Sequence, residues 1–297
     1  MFSSLEHQAG SVPPRVDELL GAGHDVVGLA RSDASSASLE AKGAQGRRGD
    51  LDDLDSIRSG AQDADAVVHL ANKHDFENPE ASNKAERDAV NAIGAVLAGS
   101  NRPFLLASGV TGVVQGRPAT EEDPSPFHGP DSPRGGSENL ALEYAQRGVH
   151  TVSVRFAPTV HGDGDHGFMA ALVGVARERG VAGYVGDGSN RWSAVHRSDA
   201  GRVVRLGLEK APAGAVLHAV GEQGVPGRQI AEAIGRGLNV PVASIAPDDA
   251  FGHFGWVRMF FAADIPAQST ITQELLGWAP TGPTLIDDLD GGSYFRA

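Results

Sequence analysis

Short apolar runs that alternate with stretches of helical spacing limit what this chain can fold into. Residues 25–30 (DVVGLA), 66–71 (AVVHLA), 103–107 (PFLLA) and 151–156 (TVSVRF) are too short for helices and suit strands covered on both faces. Helical patterns lie between them. Val16, Leu19 and Leu20 share one face and run into Gly21 and Gly23, either of which can supply a left-handed helix end. Residues 80–100 set Ala85, Ala89, Ile93 and Val96 or Leu97 on one stripe, and residues 137–147 form another helix. Strand and helix at this rhythm predict right-handed βαβ units and a parallel sheet with helices on both faces.

The remaining segments are less regular. Residues 1–12 offer no clear strand, and Pro13 and Pro14 open a helix, since proline is tolerated in a first turn. Residues 108–133, rich in Gly, Pro and Asp, read as a long loop, a connection that carries function more often than packing. Beyond Pro158 the pattern predicts helices at 168–179, 198–210 and 226–238 and strands at 181–185 and 215–220. Two aromatic clusters follow, at 251–261 and 275–278, which suit a lobe core or a pocket lid.

Composition excludes several classes. The 297 residues can bury a large core, as one large domain or as a domain with an appended lobe. A formal charge of −13 argues against nucleic acid and anionic membrane as partners, because both need clustered Lys and Arg. The chain has no cysteine, so disulfides, thiol nucleophiles and cysteine metal sites are absent, in keeping with a reducing cytoplasm. No apolar run is long enough to span a bilayer, and MFSSLEHQAG lacks the character of a signal peptide. The expected protein is soluble and cytoplasmic, with a small molecule as its partner.

Seven motifs then line up in one order: GHDVVGLARS, GDLDD at 49–53, VVHLA at 67–71, FLLASG at 104–109, VRFAPTVHGDGDHGF at 154–168, WSAVHRSDA at 192–200 and LLGWAP at 275–280. In this the chain resembles the extended short-chain dehydrogenase/reductase family, which includes the NAD-dependent epimerase/dehydratase proteins and nucleotide-sugar epimerases. The resemblance implies an α/β fold: a Rossmann-type doubly wound parallel sheet with a smaller C-terminal substrate-binding lobe. It divides the chain into residues 1–157, which also receive 190–222, and residues 158–297. A homodimer is the family's habit.

For a cofactor, the resemblance nominates Gly10, Arg31, Ser32, Asp50, Leu51, Leu70, Ala71, Asn72 and Pro158. Arg31 and Ser32 stand where an acidic residue would select NAD, and an arginine there suits the 2′-phosphate of NADP(H). The family's phosphate loop, TGxxGxxG, has no intact counterpart. The region reads HQAGSVPPRV, with Gly10 its only glycine and two prolines that remove N–H donors. Either the start of the sequence is misassigned or altered, or the chain has lost ordinary dinucleotide binding.

The family's acid–base pair is also absent. A Tyr and a Lys four residues later share one helical face in relatives, and the ammonium lowers the phenol pKa. Aligned on PRGGSENLALEYA, those positions hold Arg134 and Glu138. Arginine stays protonated and cannot exchange a proton near neutrality, whereas Glu138 could act as a base. The family's carbonyl-orienting hydroxyl falls at Gly109, with Ser108 beside it at the carboxyl end of a strand.

His74, in NKHDF, and His161 are further acid–base candidates, His161 matching the family position beside nicotinamide and substrate. Asp163, Asp165 and the histidines of HGDGDHG look like metal ligands, but the glycines and the family match favour a turn with no metal. Arg134, Arg191 and Trp192 are the candidate substrate contacts, and His196 and Asp199 read as structural. The expected activity is an NADP(H)-linked oxidoreductase or epimerase/dehydratase-like reaction on a small molecule. The alternatives are a cofactor-independent isomerase, lyase or cyclase on the same scaffold, and a non-catalytic nucleotide-binding protein.

Overall fold

A computed structural model describes residues 2–4, 14–73, 75 and 78–296. Along the chain run β1 (Phe2–Ser4), α1 (Pro14–Gly21), β2 (Val27–Ala30), α2 (Asp33–Glu40), β3 (Gln45–Arg48) and α3 (Leu54–Asp63). Next come β4 (Val67–His69), α4 (Pro79–Leu97), β5 (Pro103–Gly109), α5 (Ser137–Glu143) and β6 (His150–Phe156). The chain continues through β7 (Thr159–His161), α6 (Phe168–Arg179), β8 (Ala182–Val185), β9 (Arg191–His196), α7 (Arg197–Lys210) and β10 (Ala215–Ala219). It ends with β11 (Glu222–Pro226), α8 (Gly227–Leu238), β12 (Val242–Ile245), α9 (Ala250–Phe254), α10 (Arg258–Phe261), α11 (Thr270–Leu276) and α12 (Leu285–Asp290).

Two compact units divide these elements. The first comprises Met1–Ser108, Pro124–Arg155 and Gly201–Leu217, and the second Gly109–Asp123, Phe156–Ala200 and His218–Ala297. This corrects the boundaries expected from sequence, because 109–123 joins the second unit and only 201–217 returns to the first. Pairing explains the return. β9 bonds to β7 and β11 in a small sheet of the second unit, so the segment before α7 stays there.

The first unit is built on a seven-stranded sheet of order β10-β6-β5-β4-β1-β2-β3, and β1, β2, β3, β4 and β5 pair in parallel. That is the doubly wound order, with its reversal at β1 and β4. β4 is buried throughout and β5 and β6 nearly so, as strands covered on both faces must be. β1 overturns the expectation that residues 1–12 hold no strand. Only Phe2 in it is apolar, yet it sits between β2 and β4, with Phe2 opposite both Val27 and Val67. A ladder on each edge supplies the hydrogen bonds that local propensity does not.

Helix ends follow local chemistry. Asn78 caps α4 ahead of Pro79 at its first position, and Asp53 caps α3 by accepting the Ser56 N–H at 3.1 Å. The stripe Ala89, Ile93 and Leu97 of α4 packs with Ile57, Phe104, Leu106 and Tyr144 in one core cluster. α5 is shorter than the sequence predicts, because the chain tightens into a 3₁₀ turn at Tyr144–Arg147.

The second unit holds the three-stranded sheet β11-β9-β7 and the pair β12-β8. Trp192, Phe254 and Phe261 form part of its core, while Phe251 and Trp256 remain 64% and 41% exposed. Among the described residues, no helix is long and apolar enough to cross a membrane.

Candidate functional site

The carboxyl ends of the parallel strands carry most of the residues nominated for a nucleotide. Arg31 and Ser32 follow β2 and are exposed; the Ser32 hydroxyl caps α2 by accepting the Ser35 N–H at 3.1 Å. After β3, Asp50 accepts the Asp52 N–H at 2.9 Å, while Leu51 is buried in the core. After β4, Leu70 is half-buried, Ala71 is buried, and the Asn72 amide donates to Glu86 at 2.7 Å. Gly10, the rest of the phosphate turn and His74 lie outside the described residues.

Arg48, the last residue of β3, escapes the sequence reading. Register sets it opposite Ala30, and its exposed guanidinium lies 3.3 Å from Asp33. Arg31 and Arg48 therefore put two cations at the ends of neighbouring strands. That donor set fits a ribose carrying a phosphate.

Two arginine–carboxylate pairs, Arg134–Glu86 and Arg155–Glu138, lie in the first unit. Arg134 lies in the turn Pro133–Gly136 with φ +55°, a left-handed backbone that is costly for a residue with a side chain. The turn is pressed onto α4, since a Cβ at Gly135 would lie 2.5 Å from the Asn83 carbonyl. The Arg134 N–H donates to the Asn83 side chain at 2.8 Å, and its guanidinium donates to Glu86 at 2.5 Å. Glu86 is buried, its other oxygen taken by Asn72. Arg134 itself is one-third exposed and keeps further N–H donors beyond the one given to Glu86.

Glu138, in the first turn of α5, accepts the Ser108 hydroxyl at 2.7 Å through one oxygen. Its other oxygen accepts Arg155 Nε at 2.8 Å and Nη2 at 2.7 Å. All three side chains are buried. Both oxygens of Glu138 are thus engaged, so the group positions Ser108 rather than standing free as a base.

His69, at the end of β4, is fully buried near Glu86 and Arg134. Burial lowers its pKa, Glu86 opposes the shift, and Arg134 adds to it. As pH falls through about 6.5 the unfolded chain takes up a proton that the folded chain refuses. This part of the stability is therefore complete above that range and is lost below it. His69→Gln is expected to flatten the fall in unfolding free energy between about pH 7.5 and 5.5, read from urea midpoints at each pH. An unchanged slope would contradict this assignment.

In the second unit, Pro158 is half-buried between β6 and β7. His161 is buried, with Nδ1 2.6 Å from Asp288. Arg191 forks onto Asp264 at 3.0 and 2.8 Å, so its charge is matched inside the unit. Trp192 is buried, its indole N–H donating to the Phe260 carbonyl at 3.1 Å. Its ring packs on Phe168 and Phe261, which corrects the expectation of a substrate-facing side chain. Asp199, buried in the first turn of α7, accepts the N–H groups of Thr281 and Gly282. No group of three or more His, Asp or Glu among the described residues is arranged to hold a metal ion.

Glu86 and Arg155 are the members of the candidate site that sequence reading misses. Each carries a usable signal. Glu86 falls three and four residues before Ala89 and Val90 on the apolar side of α4, and Arg155 interrupts the buried run TVSVRF.

Known proteins resemble this chain throughout. A family model described as the NAD dependent epimerase/dehydratase family matches residues 15–221. Uncharacterized protein C2A9.02 of Schizosaccharomyces pombe is 42% identical over 280 residues, covering 94% of this chain and 95% of that protein. Uncharacterized protein YLL056C of Saccharomyces cerevisiae is 43% identical over 280 residues, covering 92% of each. Among solved structures, the UDP-glucose 4-epimerase of Thermotoga maritima with UDP-glucose shares the fold. Its TM-score is 0.76 at 20% identity, over 100% of this chain and 99% of that one.

Proposed function

The chain belongs to the NAD dependent epimerase/dehydratase family, and we propose that it is an NADP(H)-linked oxidoreductase or epimerase/dehydratase-like enzyme that acts on a small molecule without the tyrosine–lysine pair. The observation that carries this reading is Arg134. A guanidinium with donors to spare is fixed by a buried carboxylate, at the position where relatives place the tyrosine. Such a group can polarise a carbonyl or stabilise an alkoxide or enolate without transferring a proton. Glu86 and Asn72 hold it in place, while Ser108, Glu138 and Arg155 form a second fixed group.

Arg31, Arg48, Ser32 and Asp50 would hold the adenosine end of the cofactor, and Leu70, Ala71 and Asn72 its middle. When bound, the nicotinamide supplies a hydride acceptor or donor. Arg31→Ala is expected to weaken NADPH binding about tenfold and to leave NADH binding within about twofold, since one charge-assisted phosphate contact is lost. Equal losses for both nucleotides would remove the phosphate role. The altered phosphate-loop sequence, with one glycine and two prolines, favours a second reading, an enzyme on this scaffold that uses no nicotinamide. Failure of both nucleotides to bind would select it.

A further inference from the structure

The small sheet of the second unit collects titratable side chains at one end. β7 ends in His161 and β9 in His196, opposite each other in register, and β11 begins at Glu222, paired with Ala194 two residues before His196. α12 then lays Asp288 against them. His161 Nδ1 lies 2.6 Å from Asp288, and its Nε2, fully buried and without a hydrogen-bond partner, lies 3.8 Å from Glu222. His196 Nε2 is 3.8 Å from the same Asp288 oxygen, and the two imidazoles meet edge to face at 5.6 Å. The Glu222 side chain is 26% exposed, more than those of His196 and Asp288, while His161 is fully buried.

We propose that Glu222, set against the His161–Asp288 pair, acts as a general acid that delivers a proton to an oxygen of the bound small molecule. The inference rests on the reading of the protein as an enzyme whose acid–base work has left the tyrosine–lysine positions. Asp288 fixes the Nδ1–H tautomer, so the Nε2 lone pair faces Glu222. In the transfer, the Glu222 O–H bond breaks, the proton goes to the ligand oxygen, and the electron pair stays on the carboxylate. A solvent proton then restores the acid. Glu222 is the candidate catalytic residue; the neighbouring His161 and Asp288 set the electrostatic surroundings of its carboxyl group.

The surroundings move the two groups toward each other. Burial raises the Glu222 pKa, with Asp287 and Asp288 adding to the rise against the Leu285 N–H that the carboxylate accepts at 2.7 Å. Burial lowers the His161 pKa, against the pull of Asp288 and Asp165 and with the help of His196. Arg197 packs over Gly162, and the Tyr294 hydroxyl donates to Asp165 at 2.9 Å. Displacements in opposite directions bring the two groups closer in proton affinity, as in coupled acid–base sites.

Side-chain NMR of the histidines in the full-length protein tests the pair without any substrate. The expected result is His161 neutral at pH 7 with its proton on Nδ1. Asp288→Asn should then alter the tautomer balance, and Glu222→Gln should move the His161 titration by about half a pH unit or more. An Nε2–H tautomer in the unmodified protein, or a His161 titration unmoved in Glu222→Gln, would overturn the proposal. The first of these needs no variant to fold. NADPH titration of Glu222→Gln separates the two readings, since binding there reports on the nucleotide site alone.

Discussion

Replacing Arg155 with Met is expected to lower the unfolding free energy by about 3–5 kcal/mol, because it strands a buried carboxylate without its cation. Arg155 and Glu138 are 1% and 5% exposed, and Ser108 depends on the same carboxylate. Water cannot replace the guanidinium there without opening the packing of β6 against α5. The double variant Arg155→Met, Glu138→Leu should recover most of the loss, since apolar groups of similar volume can substitute for a buried pair. Urea midpoints at pH 7 with an unchanged slope provide the measurement. A single variant within about 1 kcal/mol of the parent would show that the pair is hydrated and does not fix the site.

Arg134 gives the second large effect. Arg134→Leu leaves Glu86 with Asn72 alone, and the cost is discounted to about 2 kcal/mol because the guanidinium is one-third exposed. Arg134→Gly loses the same ion pair but relaxes the positive φ, so it should be about 1 kcal/mol more stable than Arg134→Leu. Stability thus separates strain from charge. Function joins them: both variants should lose about 10²–10³ in turnover of any carbonyl compound that a screen of NADPH oxidation identifies. Equal activity in Arg134→Leu and the parent would remove Arg134 from the chemistry.

Much of the scaffold was legible because its signals are local. The runs at 25–30, 66–71, 103–107 and 151–156 became β2, β4, β5 and β6, and the stripe of Ala85, Ala89 and Ile93 became α4. What escaped was set by distant partners. β1 has three residues and exists through its two neighbours, and β9 and β11 read as RWSAVH and EQGVP, with no clean alternation. The site divides along the same line. Ser108 and Glu138 could be nominated from motif order, but their mutual bond and the Arg155 beneath them depend on three separate elements. Asp288 lies 127 residues from His161, beyond the reach of any spacing argument.

Titration of the unmodified protein with NADPH and with NADH, followed by nicotinamide fluorescence, bears most directly on the central claim. The account predicts a saturable enhancement with both, with NADPH tighter by about tenfold through the added phosphate contact. No enhancement and no melting shift at millimolar concentration of either nucleotide would contradict it.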